Sequence, residues 1–240
     1  MNIARSARIL GAGALMTAGV LAGTAPAASA EPACPDVEVV FARGTAEAPG
    51  VGGTGQAFVD ALRAQTPGKS VAVYPVNYPA SDNFNDRIAF AQNVIDGVRD
   101  AGSHIQATAG ACPDTKVVLG GFSQGAVVAG YVTADAIPQG VPSEYLSYIP
   151  NPLPDEVSDH VAAVVLLGNP SDAFLTQFGA PIGTIGPRYA DKTVELCAPG
   201  DTICDGTPGA MPSIAHAMYA MNGMTAQAAS YAAARVTPTP

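Results

Sequence analysis

The 240-residue chain has no tryptophan, only three histidines, and charged residues at just 13% of its positions. With 48% of residues hydrophobic, so little charge does not fit an extended disordered chain, which cannot bury enough apolar surface to fold. Basic residues are the scarcer sign, 11 Lys and Arg against 20 Asp and Glu, for a formal net charge of −9. That balance repels phosphate backbones, and no basic, aromatic-studded stretch offsets it, which argues against nucleic acid as a partner. Cysteine occurs only at Cys34, Cys112, Cys197 and Cys204, with no C-x-x-C and no matching histidine pair, so no metal site is expected. Beyond residue 30, no segment approaches the run of about 18 apolar residues that a membrane span needs.

Residues 1–30 carry most of the apolar continuity. Arg5 and Arg8 precede an apolar stretch broken by Gly and Thr, and Ala28-Ser29-Ala30 forms a small-residue cleavage site before Glu31. This is the pattern of a secretory signal peptide, expected to be removed, with a retained anchor as the rival reading. No cysteine stands at position 31 to take a lipid, and Arg5 and Arg8 are not adjacent as a twin-arginine signal requires. Residues 31–240 are then expected to form one domain, exported and either free outside the cell or associated with its wall. Its oligomeric state is open, a monomer being the default.

In an exported chain four cysteines are expected as disulfides. Three pairings exist. Cys197 and Cys204 stand close together around Pro199-Gly200, which favours a local ring and leaves Cys34 with Cys112, each a few residues ahead of a strand-like run.

Strand-like runs recur at 37–42, 70–76, 115–120, 161–167 and 192–196, separated by helix-like segments at 56–65, 84–108, 126–136 and 225–236. Such alternation predicts an α/β fold, a three-layer sandwich with a parallel sheet between helices. The continuous run Val161-Ala162-Ala163-Val164-Val165-Leu166-Leu167 agrees with strands buried on both faces. Residues 236–240 read as a frayed tail.

Between the third strand and the third helix stands Gly121-Phe122-Ser123-Gln124-Gly125. A G-x-S-x-G at a strand-turn-helix junction holds its serine in a strained turn with the hydroxyl above the sheet, the glycines letting strand and helix approach. A serine hydroxyl is a weak nucleophile until a histidine takes its proton and an acid holds that imidazole, and in this fold class the chain order is Ser, acid, His. His104 precedes Ser123 in a polar helix and reads as solvated, His160 opens a strand and reads as a surface residue, and His216 is left as the base. For the acid, Asp201 sits inside the Cys197–Cys204 ring just past the last strand, at the carboxyl edge where ligands collect. Asp205, followed by Gly206, is the alternative and reads as a turn. Oxyanion donors are expected from the N–H of Gln124 and from Thr45 after the first strand, unless Thr45 is simply a capping residue.

A second glycine pattern, Gly50-Val51-Gly52-Gly53-Thr54-Gly55, matches a dinucleotide fingerprint. It begins too far beyond its strand, and no Asp or Glu occurs from 61 to 81 to hold a ribose, so it reads as a flexible surface loop.

Phe41-Ala42-Arg43-Gly44-Thr45, Val76-Asn77-Tyr78-Pro79-Ala80, Gly120-Gly121-Phe122-Ser123-Gln124-Gly125-Ala126, and Cys197 and Cys204 around Asp201 with a later His216 together resemble the cutinases, especially those secreted by mycobacteria and related actinobacteria. The resemblance implies a small α/β-hydrolase with a five-stranded parallel sheet and no cofactor. It also implies a triad of Ser123, Asp201 and His216, an oxyanion hole at Thr45 and Gln124, and bridges Cys34–Cys112 and Cys197–Cys204. Thr45 departs from the serine of fungal members. The proline-rich stretch 137–154 is longer than in the shortest relatives, and its Tyr145, Leu146, Tyr148 and Ile149 are candidates for a flap.

The expected activity is hydrolysis of short- to medium-chain fatty-acid esters, an ester or lipid being the partner. Phe174, Leu175, Phe178, Ile182, Ile185, Met211 and Ile214 are candidates for an acyl groove, with ordinary core packing as the alternative for each. Acyl transfer to an alcohol through the same serine, or a wall-associated protein without chemistry, are the competing functions.

Overall fold

The computed structural model describes residues 34–139 and 141–237; the expected signal peptide and the end of the tail lie outside them. The β-branched runs form β1 (Val37–Ala42), β2 (Val71–Pro75), β3 (Lys116–Phe122), β4 (Val161–Leu167) and β5 (Thr193–Leu196). The intervening helices are α1 (Gly52–Gln65), α2 (Arg87–Ala111), α3 (Gln124–Val132), the short α4 (Asp172–Gln177) and α5 (Pro187–Ala190), and α6 (Met224–Val236). Every strand pairing is parallel, in the order β2-β1-β3-β4-β5, which is the expected five-stranded sheet.

Alternation along each strand feeds two separate cores. Val37, Val39 and Phe41 of β1 pack with Phe58 and Leu62 of α1 and with Ala228, Ala229 and Ala232 of α6. Val40 and Ala42 face the other way, against Val94, Ala101 and Ile105 of α2 and Ala126, Val128 and Ala129 of α3. The alanine face of α6 lets that helix lie close to the sheet. Each fully buried Val, Leu or Phe stabilises the fold by about 1.5–3 kcal/mol.

Glu38 has the parity of Val40 and therefore points at α2, where a carboxylate needs partners. They are His104, whose Nε2 lies 3.0 Å from Glu38 Oε1, and Thr108, whose hydroxyl donates to Oε2 at 2.7 Å. The expectation of a solvated His104 is thus overturned: its ring is half-buried and stacked on Tyr74, centroids 3.4 Å apart.

Several element ends shift for local reasons. Asp86 accepts from Ala89 N and starts α2 at Arg87 rather than 84, while α3 stops at Val132 because Thr133 folds its hydroxyl back onto Gly130 O and Ala134 bridges to Ile185. The expected glycine loop is instead partly helix. Gly52, Gly53 and Gly55 form the first turn of α1, Gly53 N donates to Glu47 Oε1 at 2.8 Å, and a Cβ on Gly55 would meet the Phe41 ring at 2.6 Å. At the other end Val236 closes α6 and is buried, not frayed.

The later part of the stretch expected as a flap lies against α2. It contains a 3-10 turn, Ser143–Tyr148, whose Tyr148 carbonyl accepts from Arg99 Nη2 at 2.6 Å, and Leu153 packs over Gly102. Cys34–Cys112 ties the entries to β1 and β3, and Cys197–Cys204 closes the ring after β5. No helix among the described residues is long and apolar enough to cross a membrane.

Candidate active site

The sheet reverses direction of winding between β1 and β3, since β1 leads through α1 to β2 on one side and β3 leads through α3 to β4 on the other. The loops leaving the two strands diverge there and open a crevice at their carboxyl ends, where open α/β sheets place ligands. Ser123 sits at this point, between β3 and α3.

Its backbone has φ 55° and ψ −119°, a left-handed conformation that costs a non-glycine residue on the order of 1–3 kcal/mol. Packing on both sides enforces it. A Cβ on Gly121 would lie 2.0 Å from Gly125 O, and one on Gly125 would lie 2.0 Å from Ala42 O, so only glycine permits the strand, the helix and β1 to approach this closely. Ser123 N donates to Leu167 O at 2.9 Å, anchoring the turn to β4.

The three side chains singled out in the sequence meet. His216 Nε2 lies 2.8 Å from Ser123 Oγ, and its Nδ1 lies 2.8 Å from Asp201 Oδ2 and 3.0 Å from Oδ1. A carboxylate can only accept, so the Nδ1 proton faces Asp201 and leaves Nε2 free to accept from the serine hydroxyl. Asp205 is exposed and its carboxylate accepts from Thr207 N, the turn role expected of it. His160 lies at the amino-terminal end of β4, away from this edge.

Asp201 is fully buried. Burial pushes its carboxyl up, but hydrogen bonds from His216 and Tyr219, the neighbouring imidazole and Ile203 N outweigh it and hold the group below the usual aspartate value. The ring supports this placement: Asp201 N donates to Ala198 O, and Cys204 N to Asp201 O.

Gln124 is the first residue of α3, so its N–H has no carbonyl one turn earlier and is open to an external acceptor. Its side-chain amide donates to Ser81 O at 3.2 Å. Thr45 lies in the loop after β1. That loop is fixed by Glu47, whose carboxylate accepts from Gly44 N at 2.6 Å and from Gly53 N, and by Ala46 N donating to Ala80 O at 2.7 Å. Arg43 is buried beneath it, donating to Glu47 O, Tyr78 O and Pro79 O.

Four contributors escaped the sequence reading. Phe122 stacks on His216 with centroids 5.0 Å apart; Tyr219 donates to Asp201 Oδ2 at 2.8 Å; Glu47 clamps the Thr45 loop; and Gly168 leaves room for His216 and Tyr219, since a Cβ there would lie 3.1 Å from each ring. Position x of the G-x-S-x-G and a tyrosine three residues after the base were the signals available.

Of the proposed groove residues, Phe174 and Phe178 pack with their rings tilted by 50°, and Phe178 contacts Phe84, so the end of α4 meets the loop that precedes α2. Met211 and Ile214 are exposed, 77% and 83% accessible, so core packing does not account for them. Ile182 belongs to a separate surface groove lined also by Ile137, Thr176 and Thr184.

The model of the family described as Cutinase matches residues 33–236, nearly all of the described chain. The chain belongs to the cutinase family. It is 53% identical over 173 residues to "Probable carboxylesterase Culp7" of Mycobacterium tuberculosis, covering 72% of this chain and 88% of that one. It is 45% identical over 234 residues to "Phospholipase Culp4" of the same organism, covering 97% and 93% respectively. Among solved structures, Trichoderma reesei cutinase in complex with a phosphonate inhibitor superposes with a TM-score of 0.60 at 28% identity, over 85% of this chain and 78% of that one. In this cutinase, then, the serine turn, the disulfide ring and the late histidine stand on the fold that the motifs implied.

Proposed function

We propose that this cutinase is an exported serine esterase that hydrolyses short- to medium-chain fatty-acid esters through an acyl-serine intermediate. The observation that carries this reading is the unbroken chain of contacts from Ser123 Oγ through His216 to the buried Asp201 carboxylate. His216 takes the serine proton as Oγ attacks the ester carbonyl, and Asp201 stabilises the imidazolium that forms. The N–H of Gln124 and the Thr45 loop receive the oxyanion, and the protonated His216 releases the alcohol. Water, deprotonated by the same histidine, then frees the acid and restores the serine.

Carboxylesterase and phospholipase names among the relatives support an ester as substrate. The two disulfides support an oxidising, extracellular destination after removal of residues 1–30.

The test is turnover of a short-chain nitrophenyl ester by Ser123→Ala, with folding checked by circular dichroism. Loss of about 1,000-fold or more in kcat is expected, and near wild-type turnover would exclude the mechanism. Including an alcohol acceptor separates hydrolysis from acyl transfer by the products formed.

A further inference from the structure

Tyr219 is completely buried three residues after His216, and its hydroxyl contacts define a direction. Ala198 N lies 2.8 Å from the phenolic oxygen and, being an N–H, can only donate to it; the disulfide sulfur of Cys204, 3.5 Å away, has no proton to give. The one phenolic proton is therefore committed to Asp201 Oδ2, 2.8 Å away. Oδ1 meanwhile accepts from Ile203 N at 3.0 Å, so the carboxylate is gripped at both oxygens before the imidazole is considered. The ring itself is wedged against Phe122, centroids 5.3 Å apart, and meets His216 edge-on at 6.2 Å.

We propose that Tyr219 is a positioning residue for ester hydrolysis: acting through Asp201, its hydroxyl fixes the carboxylate plane that faces His216 and tempers how strongly that carboxylate holds the imidazole proton. The proposal rests on the triad reading above. A carboxylate that has already accepted a strong hydrogen bond carries less free charge and stabilises an imidazolium less. Tyr219 thereby lowers the stabilisation that Asp201 gives the protonated imidazole.

Few other charges bear on the pair. Asp205, Asp172 at the start of α4 and Glu195 in β5 are exposed, Glu47 is occupied by Gly44 N and Gly53 N, Arg43 is bound to backbone carbonyls, and no charged residue occurs from Gly206 to Ala234.

The experiment is the pH dependence of kcat/KM for a soluble ester in the wild type, in Tyr219→Phe, and in protein carrying 3-fluorotyrosine at position 219. The Phe variant keeps the ring and loses the proton: kcat should fall on the order of 10-fold with KM within about 2-fold, and the acid limb should move to higher pH. Fluorination makes the phenol a stronger donor without removing it, so the limb should move the opposite way, by about a few tenths of a pH unit. If Tyr219→Phe does not fold, the fluorotyrosine protein decides alone. Limbs that coincide with wild type, whatever happens to stability, would overturn the proposal. Ser123→Ala assayed alongside keeps that failure distinct from failure of the triad itself.

Discussion

Two histidine–carboxylate pairs stand at opposite ends of this molecule. His216 and Asp201 lie at the carboxyl edge of the sheet; His104 and Glu38 lie near the amino-terminal end of β1. Each pair has a hydroxyl within reach, but the wiring differs. At the first, the carboxylate takes Nδ1 and Ser123 Oγ takes Nε2, so the imidazole stands between acid and hydroxyl and can relay a proton. At the second, both partners crowd one edge: Nε2 faces Glu38, and the Thr108 hydroxyl spends its proton on Glu38 rather than on the ring. The hydroxyl also differs in setting, Ser123 on a strained turn beside an open N–H, Thr108 inside a helix that satisfies its own backbone. Proximity of the right residue types is thus not a site; the order in which they are hydrogen-bonded makes one.

The largest effect should come from Asp201→Asn, which preserves shape but offers Nδ1 the wrong partner and favours the unproductive tautomer. A fall in kcat on the order of 10,000-fold is expected from steady-state assays, with little loss of fold. A matching change at the other pair, Glu38→Gln, should leave kcat within about 2-fold while lowering stability by about 1–3 kcal/mol in urea unfolding, because His104 and Thr108 lose an ionic acceptor. Reversal of these outcomes would collapse the distinction between the two pairs.

A smaller effect sharpens it through pH. Burial pushes the Glu38 carboxyl up, but the hydrogen bonds from His104 and Thr108 outweigh it and hold the group below the ordinary glutamate value of 4.5. A carboxylate depressed in the folded state contributes stability above its unfolded value and loses it as pH falls through the folded value. Wild-type stability should therefore decline more steeply than that of Glu38→Gln as pH drops below about 4.5, the two converging once Glu38 is protonated. Equal slopes in chemical unfolding across that window would remove Glu38 as a contributor.

The unequal legibility of the two pairs follows from physics. Ser123, Asp201 and His216 were readable because each is announced locally: glycines that a tight turn demands, a cysteine ring around an acid, and a chain order that leaves one histidine. The five strands were readable because burial on both faces leaves continuous β-branched runs. His104 was misread because its partner is 66 residues away on β1 and meets it only when α2 packs on the sheet. Glu47, Phe122 and Tyr219 act through tertiary neighbours that no spacing encodes, and the first turn of α1 looked like a loop because its glycines serve close packing on Phe41 and Glu47.

The most direct test of the central claim is to locate the covalent adduct left by an alkyl phosphonate with a good leaving group, using intact and peptide mass spectrometry. A single equivalent on Ser123, formed slowly or not at all in Asp201→Asn, is the expected result. Labelling at any other residue, or persistent ester turnover after Ser123 is fully modified, would contradict the account.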